Sequence, residues 1–345
     1  MLTPSSLLVN PRYSQAMADE SQPGLIALDW GTSSLRAYLL GSSGAVQESR
    51  SWPWGIQHVP GGDFAAAFRN AVGDWRERWP HVPAIAAGMI GSRQGWREVP
   101  YVDCPADPAG IAAGLLAFDT GCGTLHIVPG VMQRGALPNV LRGEETQIVG
   151  ALALEPALAD HSLLVLPGTH SKWVSICKGR LERFSTYMTG ELFAILRDHS
   201  ILGRPARESG PATGEPIHEE AFRRGLRIAR ESGPEGVASR LFTTRSLFLA
   251  GDLPAAQTLD YLSGLLIGEE LRSVVTGLGG AACPPLVLIG EAALCGRYAE
   301  ALKECGIDRV RVLENTAPAG LWQIAGAAGL LPATSIAPPR SPAHA

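Results

Sequence analysis

Runs of apolar residues separated by glycine and polar turns predict strands that come in pairs. Leu25-Ile26-Ala27-Leu28 runs into Asp29-Trp30-Gly31-Thr32-Ser33-Ser34 and resumes as Leu35-Arg36-Ala37-Tyr38-Leu39-Leu40, the pattern of strand, tight turn and strand. A second run, Leu163-Leu164-Val165-Leu166, meets Pro167-Gly168-Thr169-His170-Ser171 and resumes as Trp173-Val174-Ser175-Ile176. The two hairpins align, Gly31-Thr32 falling on Gly168-Thr169 after a one-residue gap, so the chain reads as two half-repeats.

Helical spacing follows each hairpin. Phe64, Phe68, Val72 and Trp75 predict a helix over 63–79, Ile148, Ala151 and Leu152 one over 144–154, and Leu262, Leu265 and Leu266 one over 258–275. Further helices are expected over 292–304 and over 317–330, where Ala and Gly imply close packing. Short apolar runs at 84–87, 124–128, 286–289 and 308–313 read as buried strands. This alternation implies an α/β protein. Residues 1–23 and 333–345, rich in Ser, Pro and Ala without periodicity, read as loose tails around an N-terminal lobe (24–155) and a C-terminal lobe (156–332).

Composition narrows the function. A chain of 345 residues exceeds the usual span of one core, which favours two lobes. With 46% apolar and 18% charged residues it is a compact enzyme-like chain. A net charge of −4 without a dense Lys/Arg run excludes a nucleic-acid binder. The six cysteines contain no C-x-x-C pair, which argues against a zinc ribbon, an iron–sulfur cluster or a disulfide framework. The longest uncharged stretch, 273–290, is broken by Gly and by Pro284-Pro285, and no secretory signal opens the chain, so a cytoplasmic protein without a membrane partner is expected. Met17 is an alternative start, and a homo-oligomer is left open.

The candidate chemistry lies in the hairpin turns. A turn carrying Gly, Thr and Ser can wrap phosphate oxygens with backbone N–H groups and hydroxyls. One such turn is commonplace; two matching copies a lobe apart point to a nucleotide.

These segments resemble the superfamily of acetate and sugar kinases, heat-shock chaperones and actin. Residues 25–38 and 163–174 look like its two phosphate motifs, and Leu286-Val287-Leu288-Ile289-Gly290-Glu291-Ala292-Ala293-Leu294 looks like its adenosine motif. Within it, LDWGTSSLRAYL, AGMIGSRQGWREVPYVDCPA, LRGEETQIVGA, LPGTHSKWV, MTGELFAIL and YLSGLLIGEEL resemble the 2-dehydro-3-deoxygalactonokinase family. The resemblance implies a duplicated, ribonuclease H-like two-lobed fold of the actin/hexokinase type with a central cleft. It also implies transfer of the ATP γ-phosphoryl group, with Mg²⁺, to the terminal hydroxyl of 2-dehydro-3-deoxy-D-galactonate, a small sugar acid. The alternatives are another sugar or sugar-acid acceptor, or a non-kinase ATPase of the same fold.

On that footing, phosphoryl transfer assigns roles. Asp29 is the candidate to hold Mg²⁺, directly or through water, and Gly31, Thr32 and Ser33 to contact phosphates. Gly168, Thr169, His170, Ser171 and Lys172 form the second phosphate site, with Lys172 either on a phosphate or in solvent. Gly290, Glu291 and Leu294 would meet the adenosine. Glu144, in Gly143-Glu144-Glu145-Thr146-Gln147, falls on the catalytic Asp of related carbohydrate kinases, Glu145 remaining the alternative base. Arg93 would take the substrate carboxylate, and Trp96 and Tyr101 would wall the sugar.

Overall fold

In the computed structural model, residues 22–209, 218–275 and 284–331 are described. In chain order the strands and helices begin β1 (Pro23–Trp30), β2 (Leu35–Gly41), β3 (Val46–Trp52), α1 (Phe64–Arg78), β4 (Ala84–Ala87), β5 (Val102–Asp103) and α2 (Pro108–Ala113). Then come β6 (Leu116–Asp119), β7 (Thr124–Ile127), β8 (Val131–Gln133), β9 (Asn139–Leu141), α3 (Glu144–Leu154), β10 (His161–Leu166), β11 (Ser171–Cys177) and β12 (Arg180–Tyr187). The last are α4 (Thr189–His199), α5 (Arg204–Glu208), α6 (Glu219–Arg230), α7 (Thr243–Ala250), α8 (Thr258–Val275), β13 (Leu286–Ile289), α9 (Ala292–Glu304), β14 (Val310–Leu313) and α10 (Ala317–Ala327). Apart from Gln22 and Pro23, the expected tails lie outside the described residues, as do Met17 and Cys283. The other five cysteines are free.

The chain groups into two compact units. Unit 1 takes residues 22–157, 179–181 and 315–331; unit 2 takes 158–178, 182–209, 218–275 and 284–314.

Unit 1 is built on a sheet of order β3-β2-β1-β4-β7-β6. Its central strand, β1, pairs antiparallel with β2 and parallel with β4. Leu25, Ile26, Ala27 and Leu28 are wholly buried, which is why β1 reads as a continuous apolar run. The edge strand β3, Val-Gln-Glu-Ser-Arg-Ser-Trp, is mostly exposed. Helix α1 starts where the Asp63 side chain accepts a hydrogen bond from Ala66 N at 2.9 Å, and it buries Phe68, Val72 and Trp75. A small second sheet has the order β5-β8-β9.

The last helix, α10, lies in unit 1, although the boundaries read from sequence put it in the 156–332 lobe. The reason is its contact with α3: a Cβ on Gly320 would sit 1.8 Å from Thr146 O, and one on Gly150 1.9 Å from Thr316 O. The small residues read in 317–330 are therefore what lets two helix backbones touch.

Unit 2 has a sheet of order β12-β11-β10-β13-β14. Strand β10 pairs antiparallel with β11 and parallel with β13, which runs parallel with β14. Three neighbouring strands followed by parallel partners is the arrangement of the unit 1 sheet as well. Helices α6 and α8 also pack backbone to backbone, a Cβ on Gly264 falling 2.1 Å from Phe222 O. No helix among the described residues is long and apolar enough to cross a membrane.

Candidate active site

In unit 1, three segments converge at the carboxyl ends of β1 and β4, the edge of a parallel pair where α/β proteins usually bind ligands. Gly88 follows β4 with φ 98°, and a Cβ there would lie 2.7 Å from Trp30 O. Gly143, with φ 103°, precedes α3, and its Cβ would lie 3.2 Å from Gly88 Cα. Two glycines in the left-handed region thus bring the acidic start of α3 up to the end of β1, which carries Asp29.

Between β1 and β2 the turn closes through Gly31 N donating to Ser34 O at 2.9 Å, with Thr32 and Ser33 exposed. Burial pushes the Asp29 carboxyl above its usual pKa, and the Arg36 charge only partly opposes this. No group of three or more His, Cys, Asp or Glu among the described residues is arranged to hold a metal.

The two glutamates that open α3 differ sharply. Glu145 is fully buried: its Oε2 accepts from Gly143 N at 2.7 Å and its Oε1 from the Thr146 hydroxyl at 3.1 Å. Burial, and then the charge of Glu144, push its pKa up to about 8. Glu144 is half-buried, and its Oε2 accepts from Arg142 N at 2.9 Å. The Arg142 guanidinium lies 4.3 Å over the Tyr101 ring and donates from Nη2 to Val99 O at 2.7 Å. Arg142 thereby ties the loop after β4 to the start of α3.

The expected substrate residues fare unequally. Arg93 is exposed in the loop after β4. Trp96 is partly buried and packs against Phe118, Phe68, Phe64 and Trp30 at the margin of the unit 1 core, with ring centroids 5.0–6.4 Å apart. Tyr101 is the partly buried platform beneath Arg142.

In unit 2 the β10–β11 turn is held from below by one carboxylate. Glu270 of α8 is 2% exposed; Oε1 accepts from Ser171 Oγ at 2.7 Å and Trp173 Nε1 at 2.6 Å, while Oε2 accepts from Tyr298 OH at 2.7 Å and from the Thr189 hydroxyl. Ser171 is therefore committed to the interior. Lys172 is also buried, at 5% exposure, with Nζ donating to the Thr186 hydroxyl at 2.9 Å; of the two fates open from its sequence position, solvent is excluded. His170 is exposed and pairs through Nε2 with Glu191 Oε2 at 2.5 Å.

Beside this turn lies a cavity of about 330 Å³. Gly168 and Thr169 line it from the turn, Phe193 from α4, Leu266 and Ile267 from α8, and Leu294 from α9. Gly290, with φ 152°, makes the bend from β13 into α9, and Glu291 is the exposed residue preceding that helix.

The sequence profile of the 2-keto-3-deoxy-galactonokinase family matches residues 29–324. The chain belongs to that family. The Escherichia coli (strain K12) 2-dehydro-3-deoxygalactonokinase is 36% identical over 306 residues, covering 88% of this chain and 97% of that protein. A solved structure from Sinorhizobium meliloti, assigned the same activity, is 36% identical with a TM-score of 0.77, covering 88% of this chain and 98% of that one.

For a 2-keto-3-deoxy-galactonokinase family member, the residues missed in the sequence are instructive. Glu270, Phe193 and Arg142 lie in YLSGLLIGEEL, MTGELFAIL and LRGEETQIVGA, segments that carried the family resemblance without a role for these residues, and Arg297 lay in no quoted segment. Each acquires its role from a neighbour distant in the chain.

Proposed function

We propose that this chain transfers the γ-phosphoryl group of ATP to the terminal 6-hydroxyl of 2-dehydro-3-deoxy-D-galactonate, giving ADP and 2-dehydro-3-deoxy-6-phosphogalactonate. The observation that carries this reading is the unit 2 cavity at the Gly168-Thr169 turn, in a chain whose family match spans both units. In it unit 2 holds the nucleotide and unit 1 the acceptor, and the repeated strand order supports two duplicated lobes of the actin/hexokinase type. Residues 24–155 and 156–332 approximate those lobes, with α10 returning to the first.

The hydroxyl oxygen attacks the γ-phosphorus as the bond to the β–γ bridging oxygen breaks, and Glu144 accepts the hydroxyl proton. Glu144 suits this role because it is half-buried beside the end of β1, while Glu145 is wholly enclosed. Arg142 N–H holds the Glu144 carboxylate in place. Thr32 and Ser33 in unit 1, and Gly168 and Thr169 in unit 2, present amides and hydroxyls suited to phosphate oxygens. Arg93 offers the cation for the acid end of the substrate.

Asp29 fits magnesium. Its carboxyl is partly buried at the end of β1, with a pKa raised by desolvation beyond what the Arg36 charge offsets, and Mg²⁺ binds through one or two carboxylates and waters. When bound, magnesium would neutralise charge on the phosphate oxygens.

The test is ADP release by the purified protein with Mg·ATP and a panel of 2-dehydro-3-deoxy-D-galactonate, its gluconate epimer, neutral hexoses or no acceptor. Strong stimulation by the galactonate derivative is expected. Acceptor-independent hydrolysis across the panel would overturn the kinase reading.

A further inference from the structure

Four elements wall the unit 2 cavity: the β10–β11 turn, α4, α8 and, through Leu294, Arg297 and Tyr298, α9. All four meet at the carboxylate of Glu270, which α8 carries. Its Oε1 takes the donors that follow the turn on β11, Ser171 and Trp173, and its Oε2 those of α4 and α9, Thr189 and Tyr298. Thr189 and Tyr298 themselves line the cavity; Ser171, Trp173 and Glu270 are not among its lining residues. A backbone tie reinforces the first link. Glu191 N donates to Thr169 O at 2.9 Å, and a Cβ on Gly190 would lie 2.3 Å from Gly168 O, so α4 starts against the turn itself.

We propose that Glu270 is a positioning residue for the nucleotide: it touches no part of it, and sets the spacing of the turn, α4 and α9 that admits it. The inference rests on the ATP reading above and deepens it. Burying a carboxylate at 2% exposure is unfavourable, and an apolar side chain of similar volume fills such a space without that penalty. What the carboxylate adds is geometry, because a fully satisfied buried network holds its members in one arrangement. The two oxygens divide the work, Oε1 fixing the turn and Oε2 the two helices. Loss of any one bond lets its wall shift against the others.

The experiment compares the full-length wild type with Ser171→Ala, Tyr298→Phe and Glu270→Gln, by calorimetric titration of ADP and by steady-state kinetics that vary ATP and the sugar acid separately. Ser171→Ala and Tyr298→Phe each take one hydroxyl from the carboxylate. Both should raise Kd for ADP and KM for ATP about threefold to tenfold, with KM for the sugar acid within about twofold. Glu270→Gln keeps the links: its amide oxygen serves Trp173 and Ser171, and its NH₂ donates to turned Thr189 and Tyr298 hydroxyls. Its ADP affinity should stay within about twofold of the wild type. Ser171 lies off the cavity wall, so its effect on ADP must pass through the turn. Wild-type ADP affinity in folded Ser171→Ala and Tyr298→Phe overturns the proposal, as does an equal rise in KM for both substrates. A Glu270→Gln loss as large as theirs moves the effect from spacing to charge, and overturns it too. A wild type that binds no ADP sinks the ATP reading itself, a separate outcome.

Discussion

Ser171 and Glu270 meet inside unit 2, the serine hydroxyl donating to Glu270 Oε1 at 2.7 Å. The bond ties the hairpin turn to α8, and the same carboxylate takes up Trp173, Thr189 and Tyr298. Tyr298 is correspondingly held in its phenol form, its pKa pushed well up by burial and by the Glu270 charge.

Replacing Glu270 by leucine strands four donors in the interior, and should cost on the order of 3–5 kcal/mol in urea unfolding. Glu270→Gln should cost less, because the three hydroxyls can turn to accept from the new amide while Trp173 keeps an acceptor. Equal stabilities for wild type and the leucine variant would show that the network is not holding the turn.

If Glu144 accepts the hydroxyl proton, Glu144→Gln removes that acceptor and keeps the shape. Turnover should fall by about 10²–10⁴-fold with little change in ADP affinity. Steady-state kinetics with calorimetric ADP binding separates the two quantities, and an unchanged kcat would reassign the base.

How far this site was legible in the sequence depends on the range of the interactions involved. The hairpins, the strand at 286–289 and the acidic start of α3 were readable because apolar runs and turn residues are local signals. The short sheet β5-β8-β9 and the polar edge strand β3 lack those signals. Trp96 was read as a sugar wall from its loop alone, and its packing against Phe64, Phe68 and Phe118, fixed only by the fold, was not legible there. Lys172 illustrates the same limit: alternation could not decide its side, whereas the structure buries it against Thr186.

Glu145 should give the protein a characteristic pH dependence. Folding raises its pKa from 4.5 to about 8, so the folded state holds the proton more tightly than the unfolded chain. Its contribution is full below the unfolded value and is lost as pH rises through about 8, with a slope approaching about 1.4 kcal/mol per pH unit. Glu145→Gln, a neutral isostere, should flatten the stability curve over this window and exceed the wild type above it. Parallel curves in denaturant melts across pH would refute this.

Gly320→Ala tests the contact between α3 and α10. The added methyl would meet Thr146 O at 1.8 Å, a backbone atom with nowhere to go, so the helices must separate. A loss of about 1–3 kcal/mol is expected despite alanine's better helix propensity. The exposed Gly296 in α9, with nothing within 4 Å of a new Cβ, is the control: Gly296→Ala should be neutral or stabilising.

Arg93, in the loop after β4, and Arg142, just before α3, differ in how far their side chains are engaged. Arg142 is engaged through its side chain by Val99 O and Tyr101, so Arg142→Met should lower stability, because the loop loses that anchor, while the backbone N–H that holds the Glu144 carboxylate is kept. Arg93 is exposed, so Arg93→Met should leave stability within about 0.5 kcal/mol. If Arg93 meets the carboxylate, that variant raises KM for the sugar acid about tenfold or more, with a much smaller effect on an uncharged analogue reduced at the acid. Equal effects on the two acceptors would remove Arg93 from the site, and would leave the loop's other cation, Arg97, as the next residue to replace in the same assay.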